Sequence, residues 1–296
     1  MNLPEVSIIV PSYNSRRTIL RCLQALQNQE TEFSYEIIVV DSSDDGTEEL
    51  IASHFPEIKL IRRPERTLAG AARNLGIEVA QGKILAFTDA DCEVELRWVN
   101  KILHAHSDQS CAAVGGAVLN GLPLNPIAWS CYLLEFSEQL PSIPKRYVSL
   151  LATCNISFKR YVFQRYGSFP ADFSASEDMA FAWRLASAGE RLLFDPTIRI
   201  RHLFRPEFQS FIRHQLWLGE WSARARTKTD LPYAWAAEHP LRWLVPLVRL
   251  IRIEGRLARR DPLNFLRFNM LLPVCLSGLA AWGMGFCHNA RLERQA

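Results

Sequence analysis

Two hydrophobic periods alternate between residues 6 and 91, and no other feature constrains the fold of this chain as strongly. Val6-Ser7-Ile8-Ile9-Val10, Glu36-Ile37-Ile38-Val39-Val40, Ile58-Lys59-Leu60-Ile61 and Ile84-Leu85-Ala86-Phe87 are short, nearly continuous apolar runs rich in β-branched residues. Between them, 19–27, 48–54 and 68–80 carry apolar residues at helical spacing, the last closed by Gly82. Strands without polar alternation are buried on both faces, which requires helices above and below a parallel sheet. The spacing therefore predicts an α/β fold with a mainly parallel sheet. Such sheets bind ligands at the carboxyl ends of their strands, where the polar clusters of this sequence fall. Ser12-Tyr13-Asn14 follows the first run, Asp41 to Gly46 the second, and Asp89-Ala90-Asp91 the fourth.

With 296 residues, 48% of them hydrophobic and 22% charged, the chain has the composition of a folded protein with a sizeable core. The net charge of +3 is too small to indicate a nucleic-acid partner. Seven cysteines with no CxxC pair read as reduced thiols rather than as a disulfide framework or a metal cluster. Met1 to Glu5 runs directly into the first strand, with no basic segment before an apolar one, so no signal peptide is expected.

Asp89 and Asp91 stand two residues apart after a buried strand. In extended backbone they face the same way, and two adjacent carboxylates call for a hard cation such as Mg2+ or Mn2+, with diphosphate oxygens as further ligands. Asp41 is placed to accept hydrogen bonds from a base or ribose. Asp44 and Asp45 are read first as turn and helix-capping acids. Ser174 or Ser176 is expected to cap a helix over 177–188, which sets Asp178 in its first turn, where the helix dipole favours an ionised carboxylate. His214, Trp217 and Trp221 share a helical spacing and either form an acceptor platform or pack; packing is favoured. A dehydrogenase is disfavoured, since Pro11-Ser12-Tyr13-Asn14 stands where a G-x-G-x-x-G loop is required. A membrane-anchored binding protein without turnover is also disfavoured, because both Asp91 and Asp178 are present.

VSIIVPSYN (6–14), EIIVVDSSDDGT (36–47), ARNLG (72–76) and GKILAFTDAD (82–91) resemble, in order and spacing, glycosyltransferase family 2. The resemblance spans roughly residues 5 to 205. It implies a GT-A fold, a nucleotide-diphosphate-sugar donor, a divalent metal and inversion at the anomeric carbon. Carried over residue by residue, it puts Pro11 and Tyr13 in the base pocket and Asp41 on the base. Arg73 then lies near base or diphosphate, Asp89 and the adjoining Ala90 near the ribose, and Asp91 on the metal. Glu177 and Asp178 match the family's acidic pair, with Asp178 as catalytic base. His202 matches a family histidine near metal and diphosphate, a lone histidine being otherwise a structural residue, and Asn155 matches the acceptor-side segment. The Gln-x-x-Arg-Trp motif of processive synthases is not completed after Gln215, which favours transfer of a single sugar.

These readings divide the chain into a catalytic domain over 1–230, with a nucleotide half (5–112) and an acceptor half (113–230), and a C-terminal region over 231–296. Residues 241–267 hold seven arginines against two acids, and 268–290 hold no charge. Arg242, Arg249, Arg252 and Arg256 fall on one helical face. That stripe suits an interfacial helix over anionic headgroups, and 268–290 has the length of one span, though Pro273, Gly278, Gly283 and Gly285 dilute it. The alternative is a helical hairpin packed on the domain. The expectation is attachment to the cytoplasmic face of the cell membrane and a lipid-linked or cell-envelope acceptor.

Overall fold

The computed structural model describes residues 3–292; the first two residues of the 1–230 domain and the last four of the 231–296 region lie outside it. Nine strands are present among the described residues: β1 (Val6–Ser12), β2 (Tyr35–Asp41), β3 (Lys59–Arg62), β4 (Ile84–Phe87), β5 (Cys92–Val94), β6 (Cys111–Asn120), β7 (Arg146–Val148), β8 (Ile156–Lys159) and β9 (Arg191–His202). The helices are α1 (Ile19–Gln27), α2 (Thr47–His54), α3 (Ala69–Val79), α4 (Trp98–His106), α5 (Pro126–Phe136), α6 (Tyr161–Tyr166), α7 (Glu177–Ser187), α8 (Phe208–Lys228), α9 (Trp235–Glu238), α10 (Val245–Arg260), α11 (Pro262–Met270) and α12 (Leu272–Leu292).

The strands form one sheet in the order β3-β2-β1-β4-β8-β6-β9-β5, with β7 beside β9. The first four run parallel, as their continuous apolar pattern predicts. The rest of the sheet departs from the expected parallel order: β8 pairs antiparallel with β4 and β6, and β9 antiparallel with β5 and β7. Those pairings come from residues 92–202, where strand-like runs are short and interrupted. In β1 and β2, Ile8, Ile9, Val10, Ile38, Val39 and Val40 are fully buried. The register sets Ser12 beside Asp41 and Ile9 beside Phe87. Loops after β1, β2 and β4 therefore leave the sheet at the same edge.

Behind that edge lies an aromatic cluster of Phe87, Phe158, Phe163, Phe169 and Phe181. Phe87 meets Phe169 edge-on at 5.4 Å between centroids, and Phe169 meets Phe181 at 4.8 Å. The rings tie the end of β4 to α7, the elements on which the acidic residues stand.

By contacts the chain forms two compact units, 1–119 with 144–202, and 120–143 with 203–296. This division does not follow the boundary at 230 read from composition. Helix α5 is apolar nearly all round and α8 is apolar on one side; both pack against α12, so they group with the C-terminal segment. Within that second unit α8 and α12 approach backbone to backbone. A Cβ on Gly219 would stand 2.0 Å from the Trp282 carbonyl oxygen, and one on Gly285 2.0 Å from that of Leu216. The glycines that dilute the apolar run are thus its packing face. No single described helix is long and apolar enough to cross a membrane; α11 and α12 meet length and composition only as a pair, bent by 81°.

Two arginines of the expected stripe, Arg249 and Arg256, turn inward, whereas Arg252 is exposed. Arg249 donates to the Leu134 carbonyl and stacks 4.7 Å over Trp282, while Arg256 bonds Ser137 and Glu138. Burial lowers the Arg249 guanidinium pKa to about 10. The outward face instead carries Leu247, Val248 and Ile251, and the outward stripe of α11 carries Leu263, Leu266 and Met270. Two arginines with i, i+7 spacing find carbonyl, hydroxyl and carboxylate partners on α5 and the residues after it, which no helical-wheel argument reveals.

Candidate active site

The loops after β1 and β2 are stitched together by short polar side chains. Asn14, held at φ 51, donates its N–H to Ser43 Oγ (2.8 Å), and its Oδ1 accepts the Asp44 N–H (3.1 Å). Asp41 is buried at the end of β2 and accepts from Ser43 Oγ (2.7 Å) and Ser43 N–H (3.2 Å). Asp45 accepts the Thr47 N–H at the start of α2, the turn-and-cap role, and the Arg16 N–H from the loop after β1. Tyr13 is 40% exposed beside these loops, and the Arg66 guanidinium lies over its ring at 4.6 Å. Pro11 stands half-buried in β1, in register with Val40. Tyr13 is thus a partly exposed ring on the loop after β1, stacked by Arg66, while the neighbouring β2 ends in the buried Asp41 carboxylate.

Arg73, buried in α3, joins the acidic groups. Its Nη1 donates to Glu177 and its Nη2 to Asp89 Oδ1 at 2.7 Å. One guanidinium fork thereby spans the strand-end triplet and the acidic pair, which lie far apart in sequence. Both Nη groups bond carboxylates, so Arg73 braces the site from within. Gly70 permits this approach: a Cβ there would stand 2.6 Å from the Pro170 carbonyl oxygen and 3.2 Å from Glu177 Cγ.

Glu177 and Asp178 open α7. Ser176 stands at the N-cap with φ 67, an uncommon left-handed value for a residue with a side chain, and makes no side-chain cap bond. The expected serine cap is replaced by Asp178 itself, whose Oδ1 accepts the Met179 N–H (2.7 Å) and Oδ2 the Thr153 N–H (3.2 Å). Burial raises the pKa values of both Glu177 and Asp178, while Arg73 opposes the rise in each. Arg73 itself is held above its usual value, because Asp89 and Glu177 outweigh its desolvation. One cation serves three carboxylates, and Asp178 is the one it does not directly bond.

Asp91 converges on His202, with Nε2 3.6 Å from Oδ1. The approach follows from the sheet: β5 and β9 are antiparallel and Cys92 pairs directly with His202. Asp91, Cys92 and His202 bring their donor atoms within 4.8 Å of one another. A half-exposed carboxylate beside an imidazole is a donor set that fits a divalent cation. Asp89 is the partner of Arg73, and Ala90 between them is buried.

Asn155 stands elsewhere. It is buried, accepts from Trp98 Nε1 (2.9 Å) and donates to the carbonyls of Ala117 (3.0 Å) and Ile198 (3.1 Å). With its amide occupied by the core, it braces β6, β9 and α4 and presents no group to an acceptor. His214 stacks on Trp217 and approaches Glu135 at 3.6 Å within the second unit, so this pair packs. Sequence reasoning missed three contributors: Arg66 over Tyr13, the Thr153 backbone under Asp178, and the thiols around the triplet. Cys22 Sγ donates to the Asp89 carbonyl at 3.4 Å, and Cys92 lies 3.8 Å from Asp91 Oδ1. Scattered cysteines carry no spacing signal, because sheet pairing alone assembles them.

Three comparisons place this arrangement among known proteins. The family model described as glycosyl transferase family 2 matches residues 7–167. A glycosyltransferase of Haloferax volcanii, AglE, is 33% identical over 224 residues, covering 74% of this chain and 73% of that protein. The pre-mycofactocin glycosyltransferase of Mycobacterium tuberculosis is 23% identical over 223 residues, and this match spans under half (46%) of its length. Among solved structures, the mannosyltransferase PcManGT of Pyrobaculum calidifontis, in complex with GDP-Man and Mn2+, superposes with a TM-score of 0.62 at 21% identity, over 99% of this chain and 88% of that one. Four ordered motifs, the GT-A sheet and these matches agree, and the chain belongs to glycosyltransferase family 2.

Proposed function

We propose that this glycosyltransferase moves one sugar from a nucleotide-diphosphate donor to an acceptor hydroxyl with inversion, aided by Mg2+ or Mn2+. The observation that carries the reading is the Arg73 fork, which bonds Asp89 and Glu177 at once and so ties the strand-end triplet to the acidic pair. Tyr13 offers its face to the base, Pro11 backs that pocket, and Asp41 accepts from base or ribose. Asp91 and His202 would hold the ion, which when bound would supply positive charge to offset that of the departing diphosphate. Asp178, half-buried with its oxygens oriented by two backbone N–H groups, takes the acceptor proton as the hydroxyl attacks. The solved neighbour bound to GDP-Man and Mn2+ supports the donor class and the ion.

The acceptor is proposed to be lipid-linked or part of the cell envelope, met at the cytoplasmic face of a membrane. The support is the apolar outward faces of α10 and α11, which suit peripheral attachment. A panel of UDP-, GDP- and dTDP-sugars assayed with Mn2+ and with EDTA tests the proposal. Asp91→Ala is expected to abolish metal-dependent donor binding. Asp178→Asn keeps donor binding and loses about 10²–10⁴-fold in transfer; normal transfer by this variant refutes the base assignment.

A further inference from the structure

Three exposed aromatic rings, Tyr233, Trp235 and Trp243, stand in the stretch that leads into α10. Tyr233 has φ 63, a left-handed value that is costly for a bulky side chain. The turn is fixed by its surroundings. Leu231 and Ala237 are buried on either side of it, the Ala236 N–H donates to the Tyr233 carbonyl (2.9 Å), and the Ala234 N–H donates to that of Leu231 (3.0 Å). The ring stands half in solvent, and the Arg252 guanidinium of α10 lies 4.6 Å over it. Arg249 and Arg267 also stack on rings, Trp282 and Trp129, but each donates to the protein as well, to the Leu134 carbonyl and to Asn264. Arg252 differs. It is exposed, and among the described residues no oxygen accepts from its N–H groups and no carboxylate pairs with it.

We propose that Arg252, stacked on Tyr233, binds the phosphate of an anionic phospholipid headgroup, with Trp235 and Trp243 at the same headgroup level. A guanidinium laid flat on a ring keeps its edge free, and two parallel N–H groups on that edge match the two non-bridging oxygens of a phosphodiester. The ring orients the fork before the lipid arrives, so little side-chain freedom is lost on binding. Charge selects an anionic lipid. Residues 241–267 hold seven arginines against Glu254 and Asp261, and Asp261 is spent capping α11. In an anionic lipid, moreover, no ammonium group competes for the phosphate. Exposed Trp and Tyr rings next to apolar side chains suit the headgroup boundary, with the exposed Leu247, Val248 and Ile251 of α10 reaching the acyl chains.

The inference rests on the proposed attachment of this face to a membrane, and one experiment separates the two. Full-length protein is sedimented with vesicles of phosphatidylcholine, alone or mixed with phosphatidylglycerol. The mixed vesicles are expected to bind more tightly. On them Arg252→Ala loses at least about fivefold in affinity, and Tyr233→Leu loses about two- to fivefold. Arg252→Lys keeps the charge without the fork and does not restore wild-type binding. Arg260→Lys, at an exposed arginine with no ring under it among the described residues, binds as the wild type does. If the mixed vesicles bind but Arg252→Lys matches the wild type, charge alone acts: the phosphate site is overturned and the attachment stands. If neither kind of vesicle binds the wild type, the attachment fails and the site with it. Inorganic phosphate, compared with chloride at the same ionic strength, is expected not to release the protein from mixed vesicles; release would reassign the site to free phosphate and overturn the lipid assignment.

Discussion

Arg73 is where the separate motifs become one site. A buried fork facing Asp89 and Glu177, with Asp178 close behind, sets how readily each carboxylate ionises. Burial raises Asp178, so the acidic limb of the rate profile is expected above the ordinary carboxylate value of about 3.9. Arg73 lowers the pKa of both members of the acidic pair. Replacing it by a neutral residue therefore moves that limb to still higher pH. Arg73→Gln is expected to shift the pH–rate curve alkaline as well as to reduce its height; a loss of height with an unmoved limb contradicts the coupling. Much of this site was legible in the sequence, because Asp41, Asp89, Asp91 and Asp178 lie at strand ends or a helix start, where local pattern and polar type coincide. Arg73 was legible as a site residue but not as a brace, since its partners are set by the meeting of α3, β4 and α7. Asn155 was misplaced for the same reason: an asparagine beside a strand reads alike whether it faces a pocket or three core groups.

At the scale of elements, the parallel half of the sheet follows from its sequence and the antiparallel half does not. β1, β2 and β4 are continuous apolar runs whose burial needs no partner information. β9 extends over Arg191–His202, although only 198–201 looks strand-like in sequence, because Asp195 and Pro196 interrupt the pattern. Asp195 is accommodated by its Lys145 ion pair and by the Thr197 N–H and hydroxyl. The helices of the second unit show the reverse case. The uncharged run 268–290 has the composition of a span, but its glycines are packing positions: Gly285 meets the α8 backbone, Gly278 the Phe211 ring and Gly283 Pro246 of α10. Gly285→Val is expected to destabilise the fold by about 1–3 kcal/mol or more, since the Leu216 carbonyl is fixed in its own helix. Thermal or denaturant unfolding measures this, and an unchanged midpoint contradicts the close approach of α8 and α12.

The whole chain presents its apolar surface unevenly. Trp243, Leu247, Val248, Ile251, Leu263, Leu266 and Met270 are exposed within one short stretch, while two arginines of that stretch are turned inward. Arg252, Arg259 and Arg260 remain exposed near these residues, which suits an interface of lipid tails under anionic headgroups. Full-length protein is expected to bind vesicles containing phosphatidylglycerol and to lose at least about tenfold in affinity with Leu247→Glu, Ile251→Glu and Leu266→Glu combined. Sedimentation with vesicles measures this, and binding that survives the triple change contradicts the assignment of the face.

The division into units also dictates an order of assembly. The chain enters its second unit at Asn120, leaves it at Ile143, and returns only after His202. Helix α5 buries Ala128 and the run Ser130–Leu134, and it packs against helices that emerge from the ribosome much later. Its apolar side must wait uncovered through the synthesis of everything between. Until α12 arrives, the nascent polypeptide carries an unsatisfied greasy helix, a natural target for a chaperone or for the same membrane on which the finished enzyme is proposed to work.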